Sequence, residues 1–291
     1  MNIAKLTMQL TLLAVGFPGL ASAIELQPGT LEAWDNYIRN ADSSMQARLD
    51  GRLPFLWTDE APGRCARLQR GEIQIAPVTG HGTRSVAGGL IHDWLGAAFI
   101  PGATLDSLLA VVHDYARYRE FYKPVVADSK TLACTAGDQR FSMVWQHRVL
   151  VIDAAIEGQY QARDYAVDAR RGYNIAGTTQ VREIRSYGRS GEYLLPPGQG
   201  SGFIWGLHSI ARYQERDGGV YLELEAIALT RDIPLSLRWL VNPVVNHLSI
   251  DSLATSLRQT RDAVIALPPR TDRLTACGGR GSGNGKRDGV E

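Results

Sequence analysis

The sequence is poor in the residues and motifs that mark several large classes of protein. It has three cysteines and six histidines in 291 residues, and its formal net charge is +1. A charge this close to zero gives no overall field that favours nucleic acid or an acidic substrate. The cysteines match no zinc-site spacing, and the histidines include no helical pair with an acid. Glycine-rich phosphate loops and Gly-x-Ser-x-Gly elbows are missing as well, so we predict no metal, cofactor or nucleic-acid partner.

Long apolar runs are also missing beyond the first residues. Leu6 to Val15 forms a short apolar run after Lys5, and Ala21-Ser22-Ala23 fits the small-residue pattern of a cleavage site. The run is shorter than the roughly 20 apolar residues that a membrane span needs. We therefore predict a signal peptide over 1–23 and an exported protein, either periplasmic or secreted. An uncleaved membrane anchor is the alternative.

The cysteine count has a consequence in an oxidising compartment, where disulfides persist. The three residues are Cys65, Cys134 and Cys277. Because the number is odd, at least one is free or pairs with another chain. A bridge between Cys65 and Cys134 is one option that the sequence leaves open.

What is present is the composition and periodicity of a globular protein, with 44% hydrophobic and 21% charged residues. Leu31, Trp34 and Tyr37 recur at helical spacing and predict an amphipathic helix over Thr30–Leu49. The last residues are polar and rich in glycine, and they have little to bury. The predicted divisions are a signal peptide over 1–23, a helical and irregular N-terminal extension over 24–86, a main domain over 87–267 and a disordered tail over 268–291.

The main domain is predicted to contain many strands and few helices. Thr104 is a good N-cap for a short helix, and Val244–Leu267 has the apolar stripe of a long one. A run of strands with segregated helices is typical of an α+β domain with an antiparallel sheet. The predicted strands are 90–100, 125–134, 139–148, 151–166, 173–187, 203–214 and 220–230, with a second short helix over 114–122.

The last two strands form a hairpin whose register the turn Asp217-Gly218 sets. In that register the pairs Tyr213/Leu222, Ala211/Leu224, Ser209/Ala226 and Leu207/Ala228 share one almost wholly apolar face. Arg212 and Glu223 pair on the other face, since side chains alternate across a strand. We predict that they form an exposed cross-strand ion pair worth about 0.2–1 kcal/mol. A catalytic role is the alternative.

The same alternation predicts an inner face that combines large rings with small residues. Glycine or alanine at such positions leaves volume for an apolar ligand, and a few polar groups orient it. The alternative is that the rings simply pack a core. The residues predicted to line a ligand cavity are Trp94, Phe141, Met143, Trp145, Ile156, Tyr160, Trp205, Leu207, Ser209, Leu222, Leu224, Leu253 and Leu257. Gly158 and the neighbouring alanines supply the predicted free volume.

The element order and three local phrases resemble the START-like, helix-grip superfamily, the group of polyketide cyclase/dehydrase and lipid-transport proteins. The phrases are Phe99-Ile100-Pro101-Gly102-Ala103-Thr104-Leu105-Asp106, Asp114-Tyr115-Ala116-Arg117-Tyr118 and Arg231-Asp232-Ile233-Pro234, and the resemblance covers 87–267. It implies a curved antiparallel sheet of about seven strands, wrapped around a long C-terminal helix with a mostly apolar cavity between them. It implies little about chemistry, because the superfamily includes both carriers and enzymes.

Three functional hypotheses follow. The first is an exported protein that binds, and in one form carries, a hydrophobic small molecule such as a lipid. The second is a cyclase- or lyase-type enzyme in the same cavity, with His147, Tyr160 and His92 as acid–base candidates. The third is an interaction module that uses the N-terminal extension. The loop 188–202 exposes apolar side chains, and we predict either a lid over the cavity or a transient contact with a membrane or partner. A long surface connection without such a role is the alternative.

Overall fold

The computed structural model describes residues 26–135, 137–149, 152–200, 204–232 and 235–267, with 147–149, 152–154 and 235–248 as backbone only. The predicted signal peptide and tail lie outside these residues. No helix in the described ranges has the length and apolar character to cross a membrane.

The described residues form ten β-strands and five α-helices. The helices are α1 (Pro28–Leu49), α2 (Arg64–Gln69), α3 (Leu105–Val112), α4 (Tyr118–Phe121) and α5 (Leu235–Ala266), with short 3-10 helices at Trp57–Glu60 and Tyr115–Arg117. The strands are β1 (Gln74–Pro77), β2 (Thr83–Val86), β3 (Gly89–Pro101), β4 (Val126–Thr135), β5 (Asp138–Val149), β6 (Ile152–Ala166), β7 (Arg171–Arg185), β8 (Tyr193–Leu194), β9 (Gly206–Arg216) and β10 (Gly219–Arg231).

The strands make one antiparallel sheet in the order β1-β3-β10-β9-β7-β6-β5-β4, with β2 beside β3 and β8 beside β7. Seven of the ten are long, which matches the predicted count. Helix α5 packs against β3 and also meets β1 and β10. The predicted α+β helix-grip class is therefore confirmed. We call the face of the sheet toward α5 the inner face and the opposite face the outer face.

The predicted register of the last hairpin is confirmed residue by residue. Tyr213 pairs with Leu222, and Ser209 pairs with Ala226. Asp217 and Gly218 both have positive φ angles, 55° and 76°. A two-residue turn with this backbone matches the twist of the flanking strands, so the sequence Asp-Gly fixes the pairing.

Helix α5 differs from its prediction at one end. It begins at Leu235 instead of Val244, and Pro243 lies within it. The sequence argued for a start after the proline, because an interior proline removes one backbone hydrogen bond and crowds the preceding turn. A helix of 32 residues retains most of its hydrogen bonds when it loses one.

The N-terminal extension packs on the outer face of the sheet. Residues 28–69, which we call the cover, bury Tyr37, Met45, Leu56 and Leu68 against side chains of the sheet. Their partners on the sheet are Ile91, Ala97, Phe99, Ile210, Tyr221, Ile227 and Leu229. The sheet therefore lies between α5 on its inner face and the cover on its outer face.

This second layer overturns the predicted exposure of the Arg212–Glu223 pair. The pair itself forms, with Arg212 Nε 3.1 Å from Glu223 Oε2. The two residues are only 1% and 0% exposed, however, and Glu225 is 5% exposed. Strand alternation places them opposite the inner face, but it cannot show that another part of the chain covers that face.

The disulfide between Cys65 and Cys134, which the sequence left open, does not form. Cys65 is a free thiol, and Cys134 is disulfide-bonded, so the two do not pair. Their places in the fold explain this. Cys65 belongs to α2 in the cover, which packs on the outer face, whereas Cys134 lies in β4 at the far end of the sheet order.

The packing of the cover can be measured with one buried and one exposed position of α1. Met45 is 1% exposed, whereas Leu31 is 42% exposed. We expect Met45→Ala to lower the free energy of unfolding by about 2–5 kcal/mol, because it leaves a cavity under the helix. Leu31→Ala should stay within about 0.5 kcal/mol of the wild type. Urea unfolding followed by circular dichroism measures both, and equal small effects would show that the cover is not part of the core.

Candidate functional site

The inner face is filled at one end by a cluster between α5, α3 and the strands β3, β9 and β10. Its buried members are Trp94, Ala98, Ile100, Leu108, Val111, Tyr213, Val220, Leu222, Leu253, Leu257 and Val264. Four predicted cavity residues, Trp94, Leu222, Leu253 and Leu257, are among them. A Cβ atom added to Gly96 would lie 2.6 Å from Leu257 Cδ1. The space that this glycine leaves is therefore occupied by the helix.

A second cluster fills the inner face near β5 and β6. Tyr115, Phe141 and Tyr160 form a three-ring stack, with centroids 4.0 Å and 4.9 Å apart and planes within 6° of parallel. Met143, Val126 and Ala162 complete its buried part. A Cβ atom on Gly158 would lie 2.7 Å from the Tyr160 ring. The prediction that Gly158 leaves free volume is wrong, because Tyr160 folds back over it.

Between these clusters lies a patch of inner-face side chains that remains partly exposed. On β10, the outer-facing positions 221, 223, 225, 227 and 229 are all buried, whereas the inner-facing Leu224, Ala226 and Ala228 are not fully covered. On β9 the same holds for Leu207, Ser209 and Ala211. We call these six residues the inner patch. It is apolar except for the Ser209 hydroxyl.

The remaining predicted lining residues fall into two groups. Trp145 is half-buried beside the three-ring stack, and Ile156 is buried at the paired position of β6. Trp205 does not belong to the inner face. It precedes the first residue of β9 and packs with the cover cluster on the outer face. The alternation that predicted its direction does not extend beyond the start of the strand, so its assignment to the cavity is a correction.

The acid–base candidates have partners of their own. His92 is 4% exposed, with Nε2 2.9 Å from Thr230 Oγ1 and Nδ1 3.3 Å from Thr83 Oγ1. Burial lowers the pKa of His92 to about 4 and raises that of Tyr160 well above its ordinary value. Three strands, β10, β9 and β7, separate the strands that carry His92 and Tyr160. The side chain of His147 lies outside the described residues.

A polar cluster that was not predicted from the sequence lies at one end of the inner face. His113 Nε2 lies 3.0 Å from Asp164 Oδ1, and Gln139 and Asn174 each donate a hydrogen bond to the same carboxylate. Burial opposes ionisation of Asp164, but the three contacts together keep its pKa below its ordinary value. Alternation along β6 continues from Tyr160 and Ala162 to Asp164, and that signal would have placed the acid on the inner face.

A second cluster is ionic and lies under the cover, where the predicted Arg212–Glu223 pair gains partners that the sequence did not reveal. Glu223 Oε1 accepts hydrogen bonds from the Thr58 backbone N–H and hydroxyl, both at 2.7 Å. Its Oε2 accepts from the Trp57 N–H at 3.0 Å and from Arg212. Glu225 accepts a second hydrogen bond from Arg212 at 3.2 Å. The first turn of the 3-10 helix at 57–60 is thus held to the sheet by a buried carboxylate.

The described part of the predicted loop, 188–200, runs along β7. Its short strand β8 pairs with β7, and residues 187–194 form one wall of a surface pocket of about 540 Å³. The pocket floor includes Val144 and Glu157, which point to the outer face. Residues 187–194 therefore lie over the outer face, whereas Gly200 lies against the carboxylate of Glu183, which pairs with the inner-facing Ile156. The predicted lid stays a prediction. Tyr193 is 57% exposed, and the predicted membrane contact stays a prediction.

No metal site was predicted, and the part of the chain that the structure describes contains no group of three or more histidine, cysteine, aspartate or glutamate side chains placed to hold a metal ion.

Replacing a glutamate of the buried ionic cluster should lower the free energy of unfolding far more than replacing a glutamate of a partly exposed ion pair. We expect Glu223→Ala to lower the free energy of unfolding by about 3–5 kcal/mol, since it strips Arg212 and two backbone N–H groups of their partner inside the protein. Glu157 forms a half-exposed pair with Arg182 at 2.5 Å. Glu157→Ala should cost about 1 kcal/mol or less. Chemical denaturation compares the two, and similar values would show that the Glu223 site is solvated.

The state of His92 can be tested by nuclear magnetic resonance. We expect its imidazole to titrate near pH 4 in the folded protein and near its ordinary value, about 6.5, in urea. Because the folded pKa is the lower one, the contribution of His92 to stability is lost as pH falls from about 6.5 toward about 4. A folded-state midpoint above 6 would restore His92 as an acid–base candidate.

Comparison with known proteins gives no match to a family model and none to a curated protein. Solved structures do match. The STAR-related lipid transfer protein of Xanthomonas axonopodis is 16% identical, with a TM-score of 0.42, over 66% of this chain and 98% of that one. Human STARD10 is 12% identical, with a TM-score of 0.41, over 65% and 75%. The Zhui aromatase/cyclase of Streptomyces sp. R1128 is 14% identical, with a TM-score of 0.37, over 60% and 97%.

These neighbours are START-type and aromatase/cyclase proteins, the kinds that the sequence resemblance implies. At such identities and TM-scores the likeness concerns the fold and assigns neither a ligand nor a reaction. The described residues form a large antiparallel sheet packed against a long C-terminal helix, with a cover on the outer face and a partly exposed apolar patch on the inner face.

Proposed function

We propose that the protein binds a hydrophobic small molecule, such as a lipid, against the inner patch. The observation that carries the proposal is the difference between the two faces of β9 and β10. The outer face of β10 is buried over its central length, whereas the inner face keeps apolar side chains partly exposed between two packed clusters. The predicted signal peptide would place this binding outside the cytoplasm.

The chemistry of the inner patch fits an apolar body with one polar group. Leu207, Leu224 and the three alanines offer hydrophobic surface, and covering such surface contributes roughly 25 cal/mol per Å². Small side chains at Ala211, Ala226 and Ala228 let a ligand approach the backbone closely. The Ser209 hydroxyl, at the paired position of Ala226, is the group on the patch that can orient a ligand carbonyl or hydroxyl.

The described residues favour binding over the predicted acid–base chemistry. His92 is neutral near pH 7 and its nitrogens face two threonine hydroxyls, while Tyr160 is held in a ring stack. A general acid or base needs free reach to the proton that it transfers. Neither side chain has this free reach in the present arrangement, which supports binding over acid–base chemistry at these two positions.

Filling the inner patch tests the proposal. We expect the wild type to bind a fluorescent fatty acid, and Ala226→Phe to weaken that binding by about tenfold or more, because the ring occupies the space that the ligand needs. Val144→Phe is the matched control, since Val144 lines the surface pocket on the outer face. It should bind as the wild type does. Fluorescence titration gives the affinities, and circular dichroism verifies that both variants fold.

Native mass spectrometry of the purified wild type provides the second measurement. A co-purified lipid would support the proposal, and its loss from Ala226→Phe but not from Val144→Phe would locate it. If the wild type neither retains a lipid nor binds the fatty acid, or if both variants lose binding equally, the inner patch is not the site.

A further inference from the structure

We propose that the inner patch takes a neutral lipid that carries a hydroxyl group, and that this hydroxyl lies against Asn174 and Asp164 at the edge of the patch. The inference rests on the proposed function and deepens it, because it names the polar end of the ligand. The observation behind it is a chain of hydrogen bonds that ends beside the patch. Each bond in this chain has a fixed direction, and the chain ends in an acceptor.

Asn174 is the point where the polar cluster meets the inner patch. On one side of β7 it pairs with Ala211, a patch residue of β9, and on the other side it pairs with Asp164 of β6. Side chains at paired positions lie on the same face of a sheet, about 5 Å apart. Asn174 is half-buried, and the side chain of Asp164 is 19% exposed. Both side chains are therefore within reach of a ligand that covers the patch.

The carboxylate of Asp164 fixes the direction of the hydrogen bonds around it. It accepts one from Asn174 Nδ2 at 2.9 Å and one from Gln139 Nε2 at 2.8 Å. An ionised carboxylate can only accept, so each amide turns its nitrogen toward it and its oxygen away. The Gln139 oxygen in turn accepts from the Tyr115 hydroxyl. The Asn174 oxygen is the corresponding acceptor beside the patch.

The contacts of Asp164 keep it ionised. His113 Nε2 lies 3.0 Å from its Oδ1, in addition to the two amide donors. Burial opposes ionisation, but contacts that favour the charged form outweigh it and keep the pKa of Asp164 below its ordinary value. A carboxylate offers about four acceptor positions, so three donors leave one for a ligand. The cluster thus presents acceptors on Asp164 and Asn174.

These groups discriminate between the polar ends that a lipid can carry. A ligand hydroxyl can donate to the Asn174 oxygen or to the Asp164 carboxylate, whereas an ionised carboxyl group has only acceptors to offer. An anionic end would also lie close to the charge of Asp164 in a partly desolvated place, where like charges repel more strongly than in water. The class of ligand that fits is therefore a neutral lipid with a hydroxyl, such as a long-chain alcohol or a monoacylglycerol.

Competition between two ligands of equal chain length tests the inference on the full chain. Dodecanol and dodecanoate are each used to displace the fluorescent fatty acid at pH 8, which is well above the ordinary range of imidazole ionisation. We expect the wild type to bind dodecanol about tenfold more tightly than dodecanoate, because only the alcohol can donate and the acid meets a like charge.

Two variants should change this preference in different ways. Asp164→Asn removes the negative charge, so dodecanoate should bind more tightly and the preference should fall to about threefold or less. Asn174→Ala removes the acceptor beside the patch, so dodecanol should bind about fivefold more weakly while the affinity for dodecanoate changes little. Asp138→Asn is the matched control, because Asp138 accepts its hydrogen bond from Gln161 at 2.8 Å on the opposite face of the sheet. It should keep the wild-type preference.

The outcomes separate this inference from the proposed function. If the wild type binds both ligands equally or prefers dodecanoate, the inference is overturned and the proposed function stands. The same holds if Asn174→Ala keeps the full preference for dodecanol. If the wild type binds neither ligand and no fluorescent fatty acid, the proposed function fails and this inference fails with it. Should Asp164→Asn not fold, the wild-type preference and Asn174→Ala decide the point.

Discussion

The carboxylate of Glu223 is the group on which the architecture depends. It is wholly buried and accepts hydrogen bonds from Arg212 on the neighbouring strand and from two backbone N–H groups and one hydroxyl of the cover. A buried carboxylate is costly unless it is paired and hydrogen-bonded, and here the partners come from parts of the chain about 165 positions apart. If the 3-10 helix at Trp57–Glu60 left the sheet, the Glu223 carboxylate would lose three of its hydrogen bonds.

The two faces of the sheet therefore have different roles. Along β9 and β10, residues that hold the cover alternate with residues of the inner patch: Arg212 with Ala211, and Glu225 with Leu224 and Ala226. The outer face is closed by the cover, so polar side chains there contribute to its attachment. On the inner face, the apolar side chains between the two packed clusters remain partly exposed. One hairpin thereby serves both stability and the proposed binding.

Local patterns predicted the elements well, because strand alternation and turn chemistry depend on neighbours in sequence. The Asp217-Gly218 turn gave every pair of the last hairpin correctly. The same local patterns predicted the free volume on the inner face poorly. Gly158 was expected to leave free volume, but the Tyr160 ring fills that space, and this packing depends on the tertiary structure. Trp205 was misplaced for a related reason, since alternation ends where the strand ends.

By itself, then, the sequence determined the strand order along the chain, the register of the last hairpin and the separation of Arg212 and Glu223 from the apolar face. These follow from period-two alternation and turn geometry, which act over a few residues. Only the tertiary structure decided what covers each face. The burial of Glu223 beneath Thr58, the contact of Tyr37 with Asp93 and the meeting of His113 with Asp164 join distant segments, and no local periodicity encodes such contacts.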